Sequence, residues 1–291
     1  MRILIFTIAY NPTEFKITRA DTSIQADTSI LNNRPPYGFL ETATFKMKIR
    51  TPKTYDDLLI KRKYKVLEVG GGNHPDKRAQ VVVDKYVEDN THRSGDLVVH
   101  KNQQFLQADG EHLPFKDKEF DYVICRHVLE HVENPIQFVK EQARVAKMGY
   151  METPSILGEY IAPKQSHRWL VQDIDDKLVL YDKEVLNFNP WMDFGEVFLY
   201  YLPKTSIGFK ILERTHAGIL TVNYEWENEL DILVNPQDEY YLNHFIKPWD
   251  AAVCDKLLAK RSYRREVGAT ISAMFDIMRS VTRSKVLRSH A

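Results

Sequence analysis

The sequence has 291 residues, of which 43% are hydrophobic and 27% charged, and its 40 Lys and Arg balance 40 Asp and Glu. This composition is that of an ordinary globular protein, and zero net charge provides no general attraction to nucleic acid or anionic lipid. The two cysteines, Cys125 and Cys254, are too few for a disulfide framework, and no apolar run is long enough to cross a bilayer. We therefore expect a protein of the reducing cytoplasm that does not act on nucleic acid.

The chain divides into three predicted segments. Residues 1–36 are expected to be an irregular extension that ends in a linker-like Asn-Asn-Arg-Pro-Pro run. Its apolar first ten residues carry one early positive charge and no small-residue cleavage pattern, which favours a strand or buried arm over a signal peptide. Residues 37–235 are expected to form the main domain, and residues 236–291 a C-terminal helical segment.

Short apolar strands alternate with helical stretches from residue 64 onward. A helix is predicted after Asn134, which is a favourable N-cap, with Pro135 at the first helical position. The alternation predicts an α/β fold with a parallel sheet. The predicted strands cover residues 66–69, 81–83, 104–108, 120–125, 150–153, 209–213 and 219–222.

Groups suited to binding a ligand follow the first four of these strands. Gly70–Gly72 follow the first, Asp84 ends the second, Asp109 ends the third, and Arg126 and His127 follow the fourth. Ligands of open parallel sheets bind beyond the carboxyl ends of the strands. The order of these groups therefore predicts one ligand cleft.

Three runs of sequence resemble motifs of class I methyltransferases, which use S-adenosylmethionine. They are Val66–Gly72, Phe105–Phe115 and Phe120–Pro135, and the third resembles the type 11 subgroup that includes ubiquinone-biosynthesis enzymes. The resemblance extends over about residues 60 to 222. It implies a Rossmann-like, seven-stranded, mostly parallel sheet with helices on both faces and a reversed last strand.

The resemblance also implies roles for particular residues. Glu68 and Gly70, Gly71 and Gly72 are expected to line the methionine portion of the cofactor, with Arg126 on the same rim. Asp84 is expected to bind the ribose, and Asp109 with Gly110 the adenine. Alanine in place of either aspartate is expected to weaken cofactor binding.

Two other functions remain as alternatives. An NAD-type oxidoreductase would need a third glycine in the dinucleotide fingerprint, and Pro75 occupies that position. A non-catalytic binding protein of the same fold is the other alternative, although the glycines and both aspartates are retained.

Histidines provide the candidate catalytic groups. A hydroxyl acceptor needs a base during methyl transfer. His127 is one candidate because it lies at the rim beside the methyl group, and His167 is another because it follows the fifth strand, where the resemblance implies the acceptor pocket. His127, Glu130 and His131 also match His-x-x-Glu-His, and some ubiquinone-pathway methyltransferases that this stretch resembles bind a divalent metal through a similar cluster. We interpret Glu130 and His131 as structural and assign no metal. The acceptor is expected to be a small molecule, a glycan or a lipid-linked precursor.

The C-terminal segment has helical periodicity. The stretch from Lys256 to Arg288 contains nine basic residues and two acidic ones. We interpret the segment as a helix packed on the domain with a solvated basic face, and peripheral membrane contact is the alternative. The apolar positions at helical spacing are Val267, Ile271, Met274, Met278 and Val281.

Overall fold

Residues 47–53, 55, 57–88, 95–258 and 261–288 are described by the computed structural model of the protein. The predicted extension, residues 1–36, lies outside these ranges, and the domain boundaries predicted at residues 36 and 235 stay predictions. The strands are β1 (Lys48–Arg50), β2 (Val66–Val69), β3 (Val81–Asp84), β4 (Gln104–Gln107), β5 (Phe120–Arg126), β6 (Ala146–Pro154), β7 (Trp169–Ile174), β8 (Lys177–Asp182), β9 (Thr221–Glu227) and β10 (Ile232–Val234). The helices are α1 (Pro135–Val145), α2 (Ile156–Ile161), α3 (Leu202–Thr205), α4 (Ile207–Thr215), α5 (Glu239–Ile246), α6 (Ala251–Leu257) and α7 (Tyr263–Arg288), with a 3-10 turn at Leu129–His131 and a π-helical turn at Glu196–Tyr201.

Seven strands form one sheet in the order β4-β3-β2-β5-β6-β9-β1. The central strands pair in parallel, and β9 runs antiparallel to both of its neighbours. Valine-rich β2 and β3 are almost wholly buried, as expected of parallel strands that are covered on both faces. The predicted α/β fold and the reversed strand are confirmed.

One predicted strand is wrong. Residues 209–213 belong to α4, which begins after Ser206, whose hydroxyl accepts a hydrogen bond from the N–H of Phe209 at 3.1 Å. The edge position beside β9 is instead occupied by β1, which lies much earlier in the sequence. The seventh strand of the sheet therefore comes from sequence that precedes the first predicted strand.

The edge strand β1 is held by a buried carboxylate. Glu225 of β9 is fully buried, and its Oε2 accepts a hydrogen bond from Arg50 Nε at 2.7 Å. Its Oε1 accepts from the N–H of Leu59 at 2.8 Å and from the hydroxyl of Tyr122. Burial and the nearby Glu225 charge raise the pKa of Tyr122 far above its usual range, so this phenol stays a donor. One side chain thus connects β1, β5 and the segment after β1.

A smaller sheet, in the order β10-β8-β7, lies after α2 in the chain. The hairpin between β7 and β8 turns at Asp175 and Asp176, which have φ of 55° and 62°. Two consecutive residues with positive φ are typical of the type I′ turn, whose twist matches that of a hairpin. This hairpin directly follows His167 and so fixes one of the predicted catalytic residues.

The C-terminal helix is confirmed as α7, but its predicted apolar stripe is not its packing face. Val267, Ile271, Met274, Met278 and Val281 are all exposed, whereas Ala273 is buried. No helix in the described ranges has the length and apolarity needed to span a bilayer.

Candidate cofactor cleft and acceptor chamber

The turn after β2 can be built only with glycine at its first position. Gly70 has φ of 75°, and a Cβ there would lie 2.1 Å from Cγ2 of Val128. Its N–H donates to the carbonyl of Val83 at 2.7 Å, and the N–H of Gly72 donates to Oδ2 of Asp84 at 3.2 Å. The glycine turn is therefore tied to the end of β3.

Most of the predicted strand-end groups meet at one cleft. Gly70, Gly72, Asp84, Asp109 and Gly110 all line a cavity of about 150 Å³. A Cβ at Gly110 would lie 2.4 Å from Cε2 of the Phe138 ring, so this wall also requires glycine. His127 and His131 complete the wall on the side of β5.

The two aspartates of the cleft are held differently. Asp84 Oδ1 accepts from the N–H of Tyr86 at 3.1 Å, while its other oxygen accepts from the glycine turn. Asp109 pairs with Lys85 Nζ at 2.8 Å and accepts from the N–H of Glu111 at 3.0 Å. Burial acts against ionisation of Asp109, but the hydrogen bonds from Lys85 and Glu111 lower its pKa. Asp109 therefore remains a negatively charged acceptor at neutral pH.

Two residues expected to contact the cofactor are not in the wall of this cleft. Glu68 is buried and accepts hydrogen bonds from Arg126 Nη2 at 2.7 Å and from the N–H of Asp76 at 2.5 Å. Arg126 also donates to the carbonyl of His74 at 2.7 Å. Burial raises the pKa of Glu68 even though Arg126 opposes this rise.

This buried pair supports the glycine turn from behind. The chain between β2 and β3 forms turns rather than a helix, and the Glu68–Arg126 pair holds the backbone of those turns at Asp76 and His74. Gly71 is also absent from the cleft wall, because it packs toward Val82, whose Cγ1 would lie 2.6 Å from an added Cβ. Their expected cofactor contacts stay predictions, and the structure assigns them support of the turn.

His127 lies between two carboxylates. It has a positive φ of 53°, and its Nδ1 and Nε2 lie 3.3 Å from Glu130 Oε1 and 3.1 Å from Glu152 Oε1. The side chain is half exposed, and its partial desolvation opposes the charge, but these two hydrogen bonds outweigh that effect and raise the pKa of His127 to about 10. The imidazolium has no lone pair, so this geometry favours His127 as a charged donor rather than as the base.

A pH dependence of stability follows from His127. Its pKa is about 10 in the folded state and roughly 6.5 in an unfolded chain. The stabilisation is therefore complete below about pH 6.5 and is lost as the pH rises toward 10. We expect the free energy of unfolding, measured in urea from pH 6 to 10, to fall more steeply in the native protein than in His127→Asn, since Asn tolerates positive φ.

The control for this measurement is His74→Gln, at an exposed histidine outside the carboxylate pair. It should retain the steep pH dependence of the native protein. A native curve that runs parallel to the His127→Asn curve would contradict the assigned ion pairs.

A pair of histidines lies next to the cleft. The rings of His131 and His167 are in edge contact with centroids 4.6 Å apart. His131 Nδ1 lies 2.9 Å from the carbonyl oxygen of Ser166, and His167 Nδ1 lies 2.6 Å from Oε2 of Glu159. A carbonyl can only accept and an ionised carboxylate can only accept, so both Nδ1 atoms carry the proton. In a neutral ring with this tautomer, the lone pair is on Nε2.

Glu130 completes a set of groups that could hold a metal ion. Ligand atoms of Glu130, His131 and His167 all lie within 4.8 Å of one another. Two imidazoles and a carboxylate are a donor set that divalent zinc or iron accepts. The set includes His167 rather than His127 of the sequence motif, because both ring nitrogens of His127 already face carboxylates.

A second cavity, which we name the chamber, has a volume of about 750 Å³ and includes His167 in its wall. Three charged residues of its wall are in ion pairs: Arg168 Nε lies 2.8 Å from Asp182 Oδ2, and Lys183 Nζ lies 2.5 Å from Glu159 Oε1. The uncharged part of the wall offers hydrogen-bonding groups and one aromatic ring, from Gln165, Ser166, Asn189 and Phe188. His131 lines the cleft and His167 the chamber, so the histidine pair lies at the junction of the two.

A family model matches part of the chain. Residues 78–150 match the family model described as Methyltransferase domain. The match confirms the resemblance to class I methyltransferases, on which the expectation of S-adenosylmethionine rests.

Sequence relatives cover only part of the chain. The uncharacterized protein MJ1123 of Methanocaldococcus jannaschii is 33% identical over 96 residues, which are 31% of this chain and 45% of that protein. The uncharacterized methyltransferase ML2584 of Mycobacterium leprae is 40% identical over 58 residues, 20% of this chain and 22% of that one. The chain thus spans less than half the length of these curated relatives.

Solved structures match part of the chain. PH0226 protein from Pyrococcus horikoshii is 21% identical and matches 58% of this chain and 84% of its own, with a TM-score of 0.32. A SAM-dependent methyltransferase from Aquifex aeolicus is 18% identical and matches 33% and 59%, with a TM-score of 0.26.

Proposed function

We propose that the protein transfers the methyl group of S-adenosylmethionine to a hydroxyl group of an acceptor bound in the chamber. One observation carries this proposal: the cleft with the glycine turn and two aspartates adjoins, through the histidine pair, a second and larger cavity. A transfer reaction needs two such adjoining sites, one for the donor and one for the acceptor. The NAD-type oxidoreductase and the non-catalytic binding protein remain the competing functions.

The residues of the cleft fit an adenosine group. Asp84 at the end of β3 and Asp109 after β4 provide acceptors, to which a ribose and an exocyclic amine could donate. Gly70 and Gly110 allow Val128 and Phe138 to pack closely and to line the same cleft. When bound, the cofactor would supply a methyl group on a sulfonium, and the neutral thioether that remains is a good leaving group. Alignment is therefore the main contribution required of the protein.

His167 is the group best placed to remove the proton of an acceptor hydroxyl. Its Nδ1 faces Glu159, so in the neutral ring the lone pair is on Nε2, from which it could accept a proton. Glu159 is buried, and hydrogen bonds from His167 and Lys183 lower its pKa despite the opposing effect of burial. The ionised Glu159 would fix the tautomer of His167 and stabilise the imidazolium that forms, which is the role of the carboxylate in a Ser-His-Asp triad.

The base assignment predicts separate effects on binding and on transfer. His167→Asn should lower the rate of methyl transfer by roughly 10²- to 10⁴-fold, while the affinity for S-adenosylmethionine stays near that of the native protein. Glu159→Gln should lower the rate less and change its pH profile. The rate is measured as transfer of tritiated methyl groups to fractionated small-molecule, glycan and lipid extracts, and affinity by calorimetric titration.

Glu184→Gln is the control, since Glu184 also lies in the chamber wall but is not paired with His167 in the structure. An unchanged rate in His167→Asn would contradict the assignment of His167 as the base.

S-adenosylhomocysteine should raise the midpoint of thermal unfolding, because a ligand that binds only the folded state stabilises it. Stabilisation by NAD and not by S-adenosylhomocysteine would instead favour the oxidoreductase.

A further inference from the structure

An apolar stripe runs along the outward side of α7. It consists of residues spaced three or four apart, which places them on one side of a helix. Each is between 42% and 55% exposed. The stripe, named here the C-terminal stripe, comprises Val267, Ile271, Met274, Phe275 and Met278.

The helix is held on the domain by a different side. Ala273 is buried, and Ala269 and Ile277, one turn away on either side, are partly buried, where α7 packs against α4. At the start of the helix, Arg261 donates to the carbonyl of Thr215 at the end of α4. Because this side fixes the rotation of α7, the C-terminal stripe must face away from the domain.

Positive charge accompanies the stripe. Between residues 256 and 288 there are nine Lys and Arg against two Asp and Glu, within a chain of zero net charge. Arg264, Arg265 and Arg279 are exposed. Tyr263 at the start of the helix is 84% exposed, and tyrosine favours the boundary between water and apolar phases.

We propose that α7 binds the surface of an anionic lipid bilayer, with the C-terminal stripe in the boundary between headgroups and acyl chains. An exposed apolar face beside arginines is the pattern of helices that lie in the membrane interface. The arginines complement lipid phosphates, and polybasic segments bind anionic leaflets. This inference stands independently of methyl transfer.

Charge also argues against the other occupants of this face. A second copy joined by a two-fold interface would bring two basic helices together, and like charges oppose such pairing. Nucleic acid would satisfy the arginines but would leave the apolar residues of the stripe without a partner. A lipid surface satisfies both.

The test is flotation of the full-length protein with vesicles of phosphatidylcholine alone and of equal parts phosphatidylcholine and phosphatidylserine. We expect binding to the anionic vesicles, weaker binding in high salt, and little binding to the neutral ones. Met278→Asp and the double variant Arg265→Glu, Arg279→Glu should each reduce the bound fraction by about tenfold or more, given the contribution of each surface cation.

The matched controls carry the same kinds of substitution at exposed positions outside α7. Val185→Asp introduces a charge at another exposed apolar residue, and Lys101→Glu with Lys116→Glu reverses two exposed charges of the main domain. Both should bind vesicles like the native protein. Absence of binding to anionic vesicles would overturn the proposal, as would equal loss in the controls. A dimer in analytical ultracentrifugation that Met278→Asp dissociates, without vesicle binding, would assign the stripe to self-association instead.

Discussion

Asp84→Ala is expected to weaken binding of S-adenosylmethionine by about 2 to 4 kcal/mol, or roughly 30- to 700-fold. The two oxygens of Asp84 accept backbone N–H groups, one from the glycine turn and one from Tyr86. The substitution removes the carboxylate that we expect to accept the hydroxyls of the ribose. Calorimetric titration measures the loss, and thermal unfolding checks that the variant is folded.

Asp84→Asn separates charge from shape. The amide keeps one oxygen acceptor, so this variant should lose less affinity than Asp84→Ala. Asp117→Ala removes an exposed carboxylate that pairs with Arg144 on the surface, and this variant should bind the cofactor normally. Native affinity in Asp84→Ala would remove Asp84 from the cofactor site.

Asp109→Ala should also weaken binding, for a different reason. Asp109 neutralises Lys85 at 2.8 Å. Without it, an unpaired cation would remain in the cleft, where the cofactor itself brings a positive sulfonium. The loss should therefore be smaller in the double variant Asp109→Ala, Lys85→Met than in Asp109→Ala alone.

Glu225→Ala is expected to lower the free energy of unfolding by about 3 to 5 kcal/mol, the usual cost of removing one partner of a buried ion pair. The substitution leaves the guanidinium of Arg50 without its buried partner. It also leaves the hydroxyl of Tyr122 and the N–H of Leu59 without an acceptor. Urea unfolding at pH 7 measures the loss.

The same strand offers the control. Glu227 lies at the exposed end of β9, and Glu227→Ala should change stability by about 0.5 kcal/mol or less. Glu225→Gln, which keeps one acceptor, should fall between the two. Equal stability of the two alanine variants would show that β1 is not held by Glu225.

The strand ends of the sheet could be predicted because parallel buried strands leave an unambiguous signal. Val66–Val69 and Val81–Asp84 are short apolar runs that end in glycine or aspartate, and the structure brings those ends to one cleft. The helix after Asn134 carried both a cap and a proline, and it begins at Pro135 as predicted.

The strand at the edge of the sheet could not be predicted from the sequence in the same way. Phe209–Glu213 is too short for its apolar positions to distinguish a strand from a helix. The cap at Ser206 was the signal that could have decided it. Lys48–Arg50 has three residues, two of them charged, and becomes a strand only through its pairing with β9.

Strand ends could predict which groups lie together, since Gly70, Asp84 and Asp109 line one cleft. Glu68 lies within β2 and Arg126 ends β5, and the two pair with each other behind the glycine turn, so their expected contacts with the cofactor stay predictions. Glu159, which orients His167, was not predicted, although a carboxylate inside the apolar run Ile156–Ile161 was a usable signal. Pairings across the fold decide these roles, and spacing along the chain does not contain them.

The origin of β1 also constrains the order of folding during synthesis. Arg50 meets its carboxylate partner 175 residues later in the chain, so the ribosome must release most of the domain before this edge can close. Until then β9 has no outer neighbour, and an open sheet edge is a site where other chains can add. Contacts between residues so far apart in the sequence slow folding. The nascent protein is therefore most vulnerable to aggregation just before β1 pairs with β9.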